Sequence, residues 1–308
     1  MTLAVIQRKK ILEALVEFRG NFDGSQNDFC KMMGINPAQF SSVKTALRED
    51  KPLERIISDD KLVVIGRKLN VNFSSAAPWK VVHTETFDYI TSQLEYCQVN
   101  GTARIFCDIA DIGKTTAAKH YMMSHQNVYY LDCSQVKSRT EFIRALAKVV
   151  GVKESGSLKD VYNNTIYMLH AAARPLIILD EAGDLNYPAF LEIKSYWNAL
   201  EGACGWYMMG ADGLAKKIDC NVTCKKVGYA EILRRFGGEY MGVTKGKDPV
   251  AVVQFKTQQV YAVASHNLPA GVDVKEVIKK ILSLTRVKEN IRKAERDETR
   301  GESQKDAA

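Results

Sequence analysis

Gly113-Lys114-Thr115 stands where a short apolar run, Ala103–Cys107, passes through Asp108-Ile109-Ala110-Asp111-Ile112 into a stretch with helical periodicity. Strand, loop, Gly-Lys-Thr and helix in that order suit a polyphosphate. Backbone N–H groups and a helix N-terminus face the phosphates, the lysine neutralises them, and the threonine hydroxyl binds Mg²⁺. The expected cradle is therefore Asp108, Ile109, Ala110, Asp111, Ile112, Gly113, Lys114, Thr115 and Thr116. Further on, Pro175-Leu176-Ile177-Ile178-Leu179-Asp180-Glu181 reads as a buried strand ending in two carboxylates. In such a pair the Asp holds the Mg²⁺ shell and the Glu polarises the attacking water. Alone, the first motif can be a surface turn and the second a helix cap; together, at this order and separation, they point to ATP with Mg²⁺, bound through Thr115 and Asp180. Asp108 replaces the first glycine of the usual loop, and Asp111 stands where a further glycine is common. Carboxylates repel a triphosphate, and side chains strain a loop that needs unusual dihedrals. Weak or partner-dependent binding is the expectation.

The elements that would position these groups alternate along the chain. Ala103–Cys107, Val128–Asp132, Leu176–Asp180 and Trp206–Met209 read as strands, with helical periodicity over Thr115–Met123, Thr140–Val150, Leu158–Ala172 and Ala189–Leu200. Such alternation predicts an α/β domain with a parallel sheet covered on both faces. After Lys217 the strand signal fades, and Val250–Ser265 and Val274–Leu284 read as helices of a C-terminal lid. We place the core at 84–220, the lid at 221–295 and a charged, disordered tail at 296–308.

Ahead of that core, 1–73 reads as a helix-turn-helix domain, joined by a linker at 74–83 that carries Ser74, Ser75 and Pro78. A first helix spans Val5–Phe18, with Ile11, Leu12, Leu15 and Phe18 on one side. A short helix after Ser25, a turn at Gly34, and a second helix capped by Asn36 with Pro37 at its first position follow. The second helix would enter the major groove, presenting Gln39, Ser41, Ser42, Lys44 and Thr45, with Arg48 at its end. A purely structural helical bundle would carry much the same pattern.

The composition, 46% hydrophobic and 26% charged, is that of a folded globular chain, and a net charge of +7 permits a polyanionic partner. No apolar run approaches bilayer length, so a membrane is not expected. Seven scattered cysteines suit a reducing, cytoplasmic compartment and read as buried thiols; Cys220 and Cys224 lack partners at zinc-site spacing. The five histidines form no motif.

From about Thr86 to Arg296 the chain resembles the AAA+ ATPases of transposition, most of all those of the Mu B target-selection type. The resemblance rests on Ile112-Gly113-Lys114-Thr115-Thr116-Ala117-Ala118, Tyr129-Tyr130-Leu131-Asp132-Cys133, Leu179-Asp180-Glu181-Ala182-Gly183-Asp184-Leu185 and Trp206-Tyr207-Met208-Met209-Gly210. It implies ATP hydrolysis through Glu181, self-assembly into an oligomer or helical filament on duplex DNA with low sequence specificity, and delivery of target DNA to a transposase. It also implies an arginine reaching a neighbouring subunit's nucleotide, Arg235 first and Arg234 second, and a lid arginine at Arg286 or Arg292. Lys137, Arg139, Lys216 and Lys217 become candidates for the DNA-facing surface. Gly210-Ala211-Asp212 stands at the γ-phosphate sensor without the usual Asn or Thr. Two rivals stay open: a helicase-loader ATPase, and a DNA-binding scaffold with a degenerate nucleotide site.

Overall fold

A computed structural model describes residues 3, 5–20, 25–49, 51–53, 56–69, 71, 79–268, 272–278 and 283–293. It divides into two compact units, 1–77 and 78–308. The tail expected at 296–308, and the linker residues up to 78, lie outside the described residues.

The first unit contains α1 (Val5–Gly20), α2 (Gln26–Met33), α3 (Pro37–Arg48) and α4 (Asp59–Lys68). Their apolar faces close on one core that includes Ile11, Leu15, Phe29, Phe40, Val43 and Leu62. Phe18, expected on the buried side of α1, is instead 42% exposed. The turn from α2 to α3 works because Gly34 takes a positive φ of 75°, open to glycine without a Cβ clash. Asn36 then caps α3 in a capping box with Gln39.

The second unit runs α5 (Glu85–Asn100), β1 (Ala103–Cys107), α6 (Lys114–Ser124), β2 (Val128–Asp132), α7 (Arg139–Val150), α8 (Leu158–Ala171), β3 (Leu176–Asp180), α9 (Tyr187–Ala199) and β4 (Gly205–Gly210). It continues with α10 (Asp212–Thr223), α11 (Tyr229–Arg235), β5 (Tyr240–Met241), α12 (Pro249–Asn267) and α13 (Val274–Ile278), and a last helix occupies 284–293. The strands form one sheet in the order β2-β3-β4-β1-β5, every pairing parallel. β3 and β4 are buried at every position, as inner strands covered on both faces must be. Alternate residues serve two cores: Ile105, Ile177, Leu179, Trp206 and Met208 face one, and Phe106, Leu176, Ile178, Tyr207 and Met209 the other. All strands being parallel, their carboxyl ends meet along one edge, where Cys107 lies opposite Gly210 and Asp132 opposite Asp180. In open α/β sheets that edge is where ligands bind.

The four strands expected from the apolar runs are present. β5 is too short for any period to announce it. α4, α5, α10 and α11 were not anticipated, although Phe87, Ile90, Leu94 and Cys97, buried along α5 behind a Thr84 cap, repeat at helical spacing. The α/β expectation holds. No helix among the described residues is long and apolar enough to cross a membrane. The reading of all seven cysteines as buried is corrected: Cys220 and Cys224 are exposed and Cys107 is half-buried.

Candidate nucleotide site

Between β1 and α6 the loop turns on Gly113, which takes φ 94° to start the helix. The Lys114 ammonium folds beneath the loop and donates to the carbonyls of Asp108 (3.1 Å) and Ile109 (2.7 Å). Burial lowers the Lys114 pKa, while Glu181, Asp108, Asp180 and Asp212 pull it back up. Those carboxylates offset part of the cost of burying the ammonium.

β3 delivers the second half of the site. Asp180, 1% exposed, accepts from the Thr115 hydroxyl at 2.6 Å and the Tyr130 phenol at 2.7 Å, both on Oδ2. Its Oδ1 accepts from the Glu181 amide at 3.0 Å. Glu181 itself sits in the left-handed region at φ 50°, a costly place for a side-chain-bearing residue and one that strain at functional sites often occupies. Burial raises the Glu181 pKa, the neighbouring Asp180 charge adds to the rise, and Lys114 opposes it.

A cavity of 440 Å³ opens in front of these groups; its lining includes the polar Asp111, Lys114, Thr115, Thr116 and Glu181 and the apolar Trp79, Val81, Val82, Phe87, Val263 and Leu284. Such a mixed lining fits a ligand with a charged tail and a hydrophobic head. Trp79, Val81 and Val82, expected in a linker, thus form part of the cavity wall. Lys288 also reaches the cavity, its ammonium 5.0 Å from the Trp79 ring centroid. Arg286 and Arg292, anticipated as lid arginines, are exposed. For a magnesium ion the donors fit: Thr115 and Asp180 offer hard oxygens side by side, and Mg²⁺ needs only one or two protein oxygens beside phosphate and water. Among the described residues there is no cluster of three or more His, Cys, Asp or Glu that could hold a metal by itself.

The two unusual aspartates behave differently from the expectation of a strained, repelling loop. Asp108, 3% exposed, does not turn into the cradle. Its carboxylate accepts from the amides of Val243 (2.6 Å) and Thr244 (2.9 Å) and from the Thr244 hydroxyl, so its charge is satisfied by the chain following β5. The Asp108 side chain is accordingly corrected from phosphate contact to an anchor of the loop. Asp111, at φ 61°, accepts from the Ser283 hydroxyl at 2.5 Å and from the Thr285 amide and hydroxyl at 3.2 and 2.9 Å.

At the end of β4, the sensor position holds no polar side chain facing the cavity. A Cβ on Gly210 would come within 2.8 Å of the Leu214 Cβ, so α10 packs too closely to admit Asn or Thr there; Ala211 lines the cavity and Asp212 is exposed at the head of α10. Arg235 is also corrected. Its guanidinium lies 5.2 Å from the Trp197 ring centroid with Nε and Nη1 buried, whereas Arg234 is exposed.

Several expected DNA-facing residues are engaged elsewhere. Gln39 accepts from the Asn36 amide and donates to the Ile56 carbonyl at 3.1 Å, which corrects its assignment to base contact. Ser41, Ser42, Lys44, Thr45 and Arg48 are exposed on α3. Arg139 is paired with Glu192 at 2.5 Å, and the Lys217 ammonium donates to the carbonyls of Gly183 and Leu185 at 2.7 and 2.5 Å. Lys137 and Lys216 are exposed.

Comparison with known proteins agrees with this geometry. The AAA domain family matches residues 109–218, from the phosphate loop to α10. The Mu-like prophage FluMu DNA transposition protein B of Haemophilus influenzae is 26% identical over 175 residues. In sequence the chain is similar to this Mu-type transposition protein. That match covers 56% of this chain and 60% of the prophage protein. The ATP-dependent target DNA activator B of Escherichia phage Mu, and its counterpart in Escherichia phage D108, are each 23% identical over 118 residues, 38% of each chain. The chain thus matches less than two thirds of these relatives' lengths, and the family match covers the part of the site built by the loop, β3 and β4.

Proposed function

We propose that this protein is an ATPase of DNA transposition that binds ATP with Mg²⁺, assembles with copies of itself on duplex DNA in the cytoplasm, and presents target DNA to a transposase. The observation that carries the nucleotide reading is the 2.6 Å bond between Thr115 on the loop helix and Asp180 at the end of β3, with Lys114 and Glu181 on the same cavity wall. The loop amides and Lys114 would hold the phosphates, whose charge displaces the Asp108 and Ile109 carbonyls from the ammonium. Thr115 and Asp180 would hold Mg²⁺, which when bound neutralises charge developing on the phosphate oxygens. Glu181 would accept the proton of the attacking water, for which its raised pKa suits it. The apolar lining, with Trp79 and Val81, would receive the base.

The transposition half of the reading draws on the relatives' names and on the exposed polar face of α3, where Ser41, Ser42, Lys44, Thr45 and Arg48 stand ready for phosphate or base edges. We place Arg234, not Arg235, at the nucleotide of a neighbouring copy. The scaffold alternative draws its weight from Asp108 and Asp111, and both carboxylates are already matched by donors from later in the chain, which favours the ATPase. The test is ATP turnover by the purified chain with and without duplex DNA, beside Lys114→Ala and Glu181→Gln. DNA-stimulated turnover abolished by both changes is expected; DNA binding without turnover under any condition would establish the scaffold instead.

A further inference from the structure

We propose that Tyr130 is a positioning residue for the metal-holding carboxylate of Asp180, an inference that rests on the ATP and Mg²⁺ reading above. Asp180 is buried, and burying a carboxylate is costly unless its oxygens accept hydrogen bonds. Its three hydrogen bonds come from three places: the Glu181 amide on Oδ1, and on Oδ2 the Thr115 hydroxyl from α6 and the Tyr130 phenol from β2. The first donor belongs to the adjoining residue, and the second sits on the helix that the loop carries. Tyr130 ties the carboxylate to a neighbouring strand, since β2 is held to β3 with Tyr130 opposite Ile178.

The choice of a phenol has a consequence for the metal. With two protons directed at Oδ2, Oδ1 keeps a lone pair free beside its single amide bond, so the two oxygens are held in different roles. The Thr115 hydroxyl spends its proton on Asp180 and retains its own lone pairs for a cation. A neutral donor achieves this without cancelling the negative charge that attracts Mg²⁺; a lysine or arginine in its place would cancel it. Lys119 of α6 lies over the face of the ring, 5.2 Å from its centroid, which packs the phenol against the loop helix. Donors that orient a metal's ligands typically change metal affinity ten- to a hundred-fold when removed.

The experiment is a titration of Mg²⁺ into the full-length chain with a fluorescent ATP analogue, for wild type and Tyr130→Phe, with thermal melts of both. Phe preserves the ring and its packing and removes only the oxygen. We expect the Mg²⁺ concentration at half-saturation to rise about ten-fold, with metal-free nucleotide affinity and melting temperature close to wild type. An unchanged Mg²⁺ half-saturation in the variant would overturn the role of Tyr130, as would an equal loss of metal-free affinity, which would assign the phenol to general packing. A wild-type chain whose nucleotide binding ignores Mg²⁺ would overturn the ATP and Mg²⁺ reading itself, a result distinct from the other two.

Discussion

Asp111 in the phosphate loop and Thr285 at the start of the helix at 284–293 are joined by two hydrogen bonds, from the Thr285 amide and from its hydroxyl, onto one carboxylate oxygen. Asp111 therefore caps a helix whose Thr285 lies 174 residues further along the chain, satisfying an amide that the helix itself leaves unpaired. The loop and the C-terminal segment are thereby tied together.

Replacing Asp111 by Asn keeps an acceptor for Thr285 and removes a charge from the cradle. Two like charges about 6 Å apart repel by roughly 0.7 kcal/mol in water, so nucleotide affinity should tighten about three-fold. Asp111→Ala should instead release the helix. Hydrogen exchange over 284–293 would accelerate in the Ala variant and stay near wild type in the Asn variant; equal exchange in all three would dissolve the coupling.

Asp108→Gly restores the usual loop glycine, yet it should not improve nucleotide binding. The Val243 and Thr244 amides, both bonded to Asp108 and buried, would lose their acceptor, at roughly 1–3 kcal/mol for each buried donor left unpaired. A lower melting temperature with unimproved nucleotide affinity is the expected pair of results. Tighter binding with no loss of stability would mean that Asp108 acts on the phosphates after all.

The pH profile of turnover should reflect Glu181. A raised pKa means that the folded protein favours the protonated carboxyl, which cannot accept a proton from water. Activity should therefore fall as pH drops through a midpoint lying above the ordinary Glu value of about 4.3. An acid limb at or below that value would remove Glu181 from the role of base.

Strands β1, β3 and β4 and the carboxylate pair were legible because their signals are local. Leu176–Leu179 is an unbroken apolar run, and Gly113-Lys114-Thr115 owes its meaning to its immediate neighbours. Trp79, Tyr130, Thr244 and Lys288 were not legible, because each acquires its role from a partner brought near by topology. Tyr130 reaches Asp180 only because β2 is laid beside β3, and Thr244 meets Asp108 across 136 residues of chain. The same cause misled the reading of Gln39, Arg139 and Lys217. Each looks like a free polar group in sequence, and each is committed to an acceptor that the fold supplies.

On α3 the division of labour can be measured directly. Gln39→Ala removes half of a capping box and should cost about 1 kcal/mol of stability in the N-terminal unit, with little change in DNA affinity. Lys44→Ala and Arg48→Ala should each weaken duplex binding across sequences and lower the salt slope by about 0.9. Anisotropy titrations at several salt concentrations separate the two classes. A Gln39→Ala chain that folds normally but loses sequence preference would return Gln39 to the DNA interface.

Arg234 and Arg235 divide in a comparable way. Arg235, with its guanidinium over Trp197 and two of its nitrogens buried, should hold α11 against α9, so Arg235→Ala should lower the melting temperature. Arg234, exposed at the last turn of α11, is the arginine that can extend to a second copy. If it acts in trans, Arg234→Ala should cut turnover about 100-fold or more, the scale of removing a charge-stabilising donor, while nucleotide binding and stability persist. Mixing makes the claim stricter. An Arg234→Ala copy has an intact cradle, and a Lys114→Ala copy has an intact Arg234, so a mixed assembly contains sites complete in both respects. Turnover by the mixture above the sum of the two variants is the expected result. If the mixture only adds, Arg234 does not serve a neighbouring site.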